Sequence, residues 1–329
     1  MSFTRVTKNN PCPICGKPDW CSYNNIVAVC MRIQSQKTSE NGGWVHRLNS
    51  QIQIKEPEKP KSNTTRKPDI ELDKIYRRLL DMLPLNKSHF KHLKNRGMSN
   101  AEIGRGLYKS LPEDREIIVS QFSPNDLAGI PGFGITKKGQ WVLSGNPGLL
   151  IPVIQNNLIV SLLIRPDKQE PGKKYKIMSS SWLEQGCKPG MRVHVAIPSE
   201  IHAPNTVWIV EGPLKGNIVA ERVGAVTYAV PGVNSWRELR GMAATLPEIV
   251  VVAYDSDYEN FHVRYHARKL SNFLIKNSKE VYAALWDKKF KGPDDALVAE
   301  TTIKPCRLFW RALPKQSQAP EKGLLHIKN

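Results

Sequence analysis

The sequence predicts an α/β protein: a parallel sheet in the C-terminal part, with a small cysteine-rich module at the N-terminus. Three observations predict it. Apolar runs of strand length recur at residues 207–210, 249–254 and 280–285, separated by stretches long enough for crossover helices. Each run leads into acidic residues: Glu211-Gly212, then Asp255-Ser-Asp257, then Lys291-Gly-Pro-Asp294-Asp295. Four of the six cysteines fall between residues 12 and 30, and a polar stretch rich in Pro and Lys at 49–69 separates them from the rest. The chain has 329 residues, enough for two or three domains, and a net charge of +18 that favours polyanionic partners.

Residues 1–48 form the first module. Cys12-Pro-Ile-Cys15-Gly16 has the spacing that lets two thiolates bind one tetrahedral ion, with Gly16 allowing the tight turn. Clustered cysteines in a chain whose first residues are polar point to zinc rather than disulfides. Cys30 closes the apolar run 26–29 and is the natural third ligand. Spacing favours Cys21 as the fourth, and His46 is the alternative. So small a module draws much of its stability from the metal. Trp20, Tyr23, Trp44, Arg32 and Arg47 offer stacking and phosphate contacts to a single strand, although Trp44 reads equally well as mini-core.

Residues 49–69 read as a mobile linker with few groups to bury. Helices follow. Leu72, Ile75, Tyr76, Leu79 and Leu80 give an amphipathic pattern over 70–83. A second helix runs from Ser88 to a stop at Gly97, and Ser99-Asn-Ala-Glu102 opens a third with a capping box. Residues 148–153 and 158–165 form a β-hairpin. Arg96, Arg165, Lys174 and Lys176 make this middle region, 70–200, basic.

In the region 201–300, Glu211, Asp255, Asp257, Asp294 and Asp295 each follow a buried-strand pattern. The strand ends of an open α/β sheet line its ligand crevice. Carboxylates gathered there repel one another, which calls for a divalent ion, Mg²⁺ or Mn²⁺. Pro293-Asp294-Asp295 before Ala-Leu-Val also reads as a helix start. Lys215, just after Glu211-Gly212, is placed to meet phosphate near a helix N-terminus. Residues 301–329 read as a basic tail, with Leu308-Phe-Trp310 as its apolar anchor. No run is apolar enough to cross a bilayer and no signal peptide is seen, so the expectation is a cytoplasmic protein without membrane contact.

The order Glu-Gly, Asp-x-Asp, acidic pair resembles the TOPRIM domain of primases, topoisomerases and certain nucleases. Phe90-Lys-His-Leu-Lys-Asn-Arg96-Gly97-Met-Ser99 is similar to the opening of the bacterial primase catalytic core. The Ile151-Pro152 strand, the strand ending in Arg165, and Lys174-Tyr175-Lys176-Ile-Met-Ser179 resemble later elements of that core. Together the motifs resemble the bacterial and phage primase family and the primase-like proteins of mobile elements. The resemblance implies an N-terminal zinc ribbon (1–48), a linker (49–69), a basic α+β subdomain (70–200), a TOPRIM-like Rossmannoid parallel-sheet domain (201–300) and a basic tail (301–329). It places His46 as the fourth zinc ligand, because Ile33 stands where the family has cysteine.

What the resemblance implies for function is a primase, making short oligonucleotides from nucleoside triphosphates on single-stranded DNA. Asp255 and Asp257, with Asp294 and Asp295, would bind two Mg²⁺ or Mn²⁺ ions. Glu211 would act as general base or further ligand. Arg96, Arg165, Lys174, Lys176 and Lys215 would bind phosphates. No Gly-x4-Gly-Lys-Ser/Thr occurs, so a helicase would be a separate partner. The alternatives are a metal-dependent nuclease and a non-catalytic DNA-binding factor.

Overall fold

A computed structural model describes residues 3–39, 42–48, 64–169, 174–255 and 261–308. Asp257, residues 49–63 of the expected linker, and the tail beyond Leu308 lie outside the described residues. The chain divides into two units, one holding residues 1–60 with 260–265, the other the remainder.

In the first unit four short antiparallel strands follow one another across the sheet: Thr4–Arg5, Ser22–Tyr23, Val27–Cys30 and Trp44–Arg47. Asn24 sets the first long hairpin. Its Oδ1 accepts from the amides of Ile26 (2.9 Å) and Val27 (2.8 Å), the local side-chain turn that asparagine favours. The core is small: Val6, Tyr23 and Ala28, with Cys12, Cys21 and Cys30 making up the rest.

The second unit is built on two sheets. The hairpin Gly148–Gln155 and Leu158–Pro166 turns at Asn156-Asn157, both at positive φ, and is extended by Lys109–Leu111 on one side and Lys176–Ile177 on the other. It is apolar on both faces because both are covered. Leu150, Ile159, Leu162 and Ile164 pack on Leu72, Ile75, Tyr76, Leu79 and Leu80 of the helix Asp69–Asp81. Leu149, Ile151, Val153, Val160 and Leu163 pack on Leu93 and Ile103 of the helices Lys87–Asn95 and Asn100–Arg105, and on Leu214 and Ile218. The capping box at Ser99 is formed: Ser99 Oγ accepts from the Glu102 amide (3.1 Å), and the Glu102 carboxylate accepts from the Ser99 amide.

The larger sheet has six strands in the order His194–Ala196, Val226–Val230, Thr206–Glu211, Ile249–Val252, Glu280–Leu285 and Lys304–Leu308. The four inner strands are parallel, and the outer two are antiparallel to their neighbours. Inner strands such as Val207–Val210 and Val250–Val252 are buried, which is why they read as unbroken apolar runs. The helix Pro213–Val223 covers one face through Val219 and Ala220. Residues 304–308, assigned to the tail from the sequence, form the edge strand against Glu280–Leu285. At the other end of the expected linker, the chain already belongs to the core before residue 69. Arg66 donates to Val160 O (2.9 Å) and Lys67 N to Gly129 O (2.9 Å). No described helix is long and apolar enough to cross a membrane.

Candidate active site

Glu211 closes the strand Thr206–Glu211, at the C-terminal edge of the parallel strands where a crevice opens. The chain must then turn sharply into a helix. Gly212 takes φ 86°, a conformation glycine adopts without cost, and Pro213 begins the helix. This sets Lys215 in the first turn, above the strand ends. Asp255 follows the neighbouring strand Ile249–Val252. Asp294 lies in the first turn of the helix Pro293–Val298 and is only 2% exposed, whereas Asp295 beside it is exposed.

These groups meet. The Lys215 ammonium donates to Asp255 Oδ1 and lies 3.8 Å from Asp294 Oδ1. The Arg96 guanidinium donates to Asp294 Oδ2. Gly292 is part of the packing: a Cβ there would lie 2.9 Å from Lys215 Nζ and 3.2 Å from Asp255 Oδ1 and would collide with Asp294. Burial pushes the Glu211 carboxyl above the usual carboxylate range, with Lys215 and Lys291 pulling it back. Burial pushes Lys215 below the usual lysine range, with Asp294 and Glu211 opposing. The Tyr254 hydroxyl is buried near Glu211 with no hydrogen-bond partner among the described residues.

Arg96 owes its position to a helix end held from outside. It caps Lys87–Asn95, and Arg222, from the helix that follows Glu211, donates both to Gly97 O and to Glu102. One turn back along that helix, His92 accepts from Arg165 at Nε2 (2.7 Å). Burial, Arg165 and Arg96 together push His92 down to about 4, so it stays neutral between two guanidiniums. Arg96, His92 and Arg165 thus form a basic rim beside the carboxylates. Lys176 donates to Asn146 (3.2 Å), and Lys174 is exposed.

The donors at the crevice suit a hard divalent ion, which takes oxygen ligands. Asp294 Oδ1 is buried without a hydrogen-bond partner among the described residues, a mark of a site made for a cation. Among the described residues no three acidic groups gather closely enough to hold one ion between them. The arrangement therefore fits an ion held by one or two carboxylates, such as Asp255 and Glu211, with its other positions left to water or phosphate.

In the first unit the sulfurs of Cys12, Cys15, Cys21 and Cys30 lie within 4.8 Å of one another. Cys15 and Cys21 are 3.8 Å apart and Cys21 and Cys30 4.0 Å, close to the roughly 3.8 Å edge of a tetrahedron with 2.3 Å metal–sulfur bonds. The Met31 and Ile33 amides donate to Cys21 and Cys30 (3.3 Å each). Burial pushes the Cys12 and Cys21 thiols up, so thiolates there require a cation. The set fits structural zinc. His46 is not part of it: its Nε2 bonds Ile33 O at 3.0 Å, and Cys21 supplies the fourth sulfur. The four sulfurs gather without His46, and this favours Cys21 as the fourth ligand. Trp20 is 63% exposed, at positive φ, with the Arg32 guanidinium 5.7 Å from its ring centre.

Of the residues expected from the sequence, Glu211, Lys215, Asp255, Asp294 and Arg96 converge, and Arg165 joins through His92. The sequence reading missed His92, Arg222, Tyr254 and Gly292. His92 carried a signal, four residues before Arg96 on the same helix face. Gly292 sits directly between Lys291 and the Pro-Asp-Asp motif.

No family model matches this sequence, and no curated protein does. Solved structures do match in fold. The Aquifex aeolicus primase, zinc-binding and RNA polymerase domains, matches with a TM-score of 0.54 at 14% identity over 72% of this chain, which spans 62% of that one. A DnaG primase catalytic domain bound to single-stranded DNA matches with a TM-score of 0.51 at 15% identity, covering 71% of this chain and 78% of that one. The E. coli primase catalytic core matches with a TM-score of 0.51 at 13% identity, covering 72% and 80%. At such identities the likeness carries the fold, and that fold is the one seen in bacterial primases.

Proposed function

We propose that this protein is a DNA-dependent primase that joins nucleotides from nucleoside triphosphates on a single-stranded DNA template. The observation that carries the reading is the meeting of Glu211, Asp255 and Asp294 with Arg96 and Lys215 at the ends of parallel strands, within a primase-type fold. In the reaction a 3′-oxygen attacks the α-phosphorus of the incoming nucleotide and pyrophosphate leaves. Mg²⁺ or Mn²⁺, when bound, neutralises charge on the phosphates. Asp255 would hold it, with Glu211, Asp257, Asp294 and Asp295 as further candidates. Glu211, its proton affinity raised by burial, suits acceptance of the 3′-hydroxyl proton. Arg96 and Arg165 would orient triphosphate oxygens with planar forks, and Lys174 and Lys176 would add charge along the template path. In the first unit, exposed Trp20 and Arg32 suit a stacked base and its phosphate.

The test is direct. Purified protein is incubated with single-stranded DNA, labelled nucleotides and Mg²⁺ or Mn²⁺, beside Asp255→Ala and Glu211→Ala. New oligonucleotides from wild type only are expected. Shortened DNA without new product would replace the reading with a nuclease, and binding with neither product would leave a DNA-binding factor.

A further inference from the structure

A carboxylate centre that takes two divalent ions must be strongly negative before they arrive. This one is not. Among the described residues, Glu211, Asp255 and Asp294 bring three negative charges. Lys215, bonded to Asp255 and close to Asp294, and Arg96, bonded to Asp294, return two. Asp257, outside the described residues, adds one more negative charge by sequence. Widening the circle to Lys291, which acts on Glu211, and Asp295, which acts on Lys215, adds one charge of each sign and leaves the balance as it was. Two divalent ions would add four positive charges to a group whose net charge is about one negative among the described residues and two with Asp257.

The geometry agrees with the count. Lys215 Nζ is bonded to Asp255 Oδ1 and lies 3.8 Å from Asp294 Oδ1, a buried oxygen without a hydrogen-bond partner among the described residues. The side chain is mostly buried, on a rigid first helical turn fixed by Gly212 and Pro213. A Cβ on Gly292 would press on the same ammonium, so the packing is shaped around it. Asp294 is also tied by Arg96 on its other oxygen, which leaves it little freedom to turn to a metal.

We infer that the Lys215 ammonium is a resident cation of this centre. It holds the place beside Asp255 and Asp294 that a second divalent ion would take, so that the site admits a single ion. Asp294 is then a positioning residue for Lys215 rather than a metal ligand. The inference rests on the reading of this cluster as a metal centre.

The experiment counts ions directly. The full chain, loaded with zinc, is titrated with Mn²⁺ and free Mn²⁺ is followed by its electron paramagnetic resonance signal. Wild type is expected to bind one Mn²⁺ per chain at this site, lost in Asp255→Asn. Lys215→Met is expected to bind two and Lys215→Arg one. A wild type that binds two ions, or a folded Lys215→Met that still binds one, overturns the inference and leaves the primase reading standing. Absence of Mn²⁺ binding in every protein overturns the metal centre and the inference together. Lys215→Gln, which keeps a polar end, serves if Lys215→Met does not fold, and the wild-type count tests the inference by itself.

Discussion

His194 shows how a single buried side chain ties the two sheets of the second unit together. It is 1% exposed, at the start of the edge strand of the larger sheet. Its Nδ1 accepts from the Ile154 amide (2.9 Å) in the smaller sheet. Its Nε2 donates to Asn217 Oδ1 (2.8 Å), and Asn217 in turn donates to the Tyr108 hydroxyl (2.6 Å). This pattern requires the neutral ring, and burial pushes the imidazole down to about 4. Because the folded-state value lies below the ordinary 6.5, the unfolded chain binds the proton first. The stability is present above about pH 6.5 and is lost as pH falls towards 4. From this residue alone, unfolding free energy should drop by about 2 kcal/mol between pH 7 and pH 5. Urea denaturation at the two values checks this, and His194→Gln should flatten the difference. An equally steep pH dependence in the variant would remove His194 as its source. None of this was legible in the sequence, where His194 lies in a short, irregular stretch and its partners are 23 and 40 residues away.

At the scale of elements, the most local signals translated most faithfully. The capping box at Ser99, the helix over Asp69–Asp81 and the three strands that precede the acids are formed as their patterns imply. Each depends on neighbours a few residues apart, which a sequence records directly. The hairpin Gly148–Gln155 and Leu158–Pro166 was recognised, but its burial on both faces was not, because covering its second face needs Leu214 and Ile218 from a helix far along the chain. The same limit held at the cysteines. Spacing named Cys12, Cys15 and Cys30 and leaned to Cys21, and only the gathering of the four sulfurs set Cys21 apart from His46. Metal analysis of the purified protein should find one zinc per chain in wild type and in His46→Ala. In Cys21→Ser the zinc should be lost or bound far more weakly, with the first unit unfolding or becoming sensitive to proteolysis. Zinc retained by Cys21→Ser and lost from His46→Ala would reverse the assignment.

For the whole molecule, the governing quantity is charge. The chain carries a net +18, while the described charges at the crevice largely offset one another, so attraction for a polyanion is expected to come from the chain's basic residues rather than from the site. Binding to single-stranded DNA should therefore weaken at least about tenfold between 50 and 200 mM salt, through release of counterions. Fluorescence anisotropy of a labelled oligonucleotide measures this, and a flat plot of log affinity against log salt would contradict it. Net charge, the cysteine knuckle, the inner strands and the acids at their ends were determined by the sequence itself, because composition and periodicity are properties of short stretches of chain. Tertiary structure alone decided that Arg96 reaches Asp294 across 198 residues, that Lys215 sits among the carboxylates, and that residues 304–308 complete the sheet. Those contacts join segments whose sequences carry no mark of one another. They form because closing the core between two sheets brings a helix end, a helix start and a strand edge to one crevice, where opposite charges removed from water must find each other.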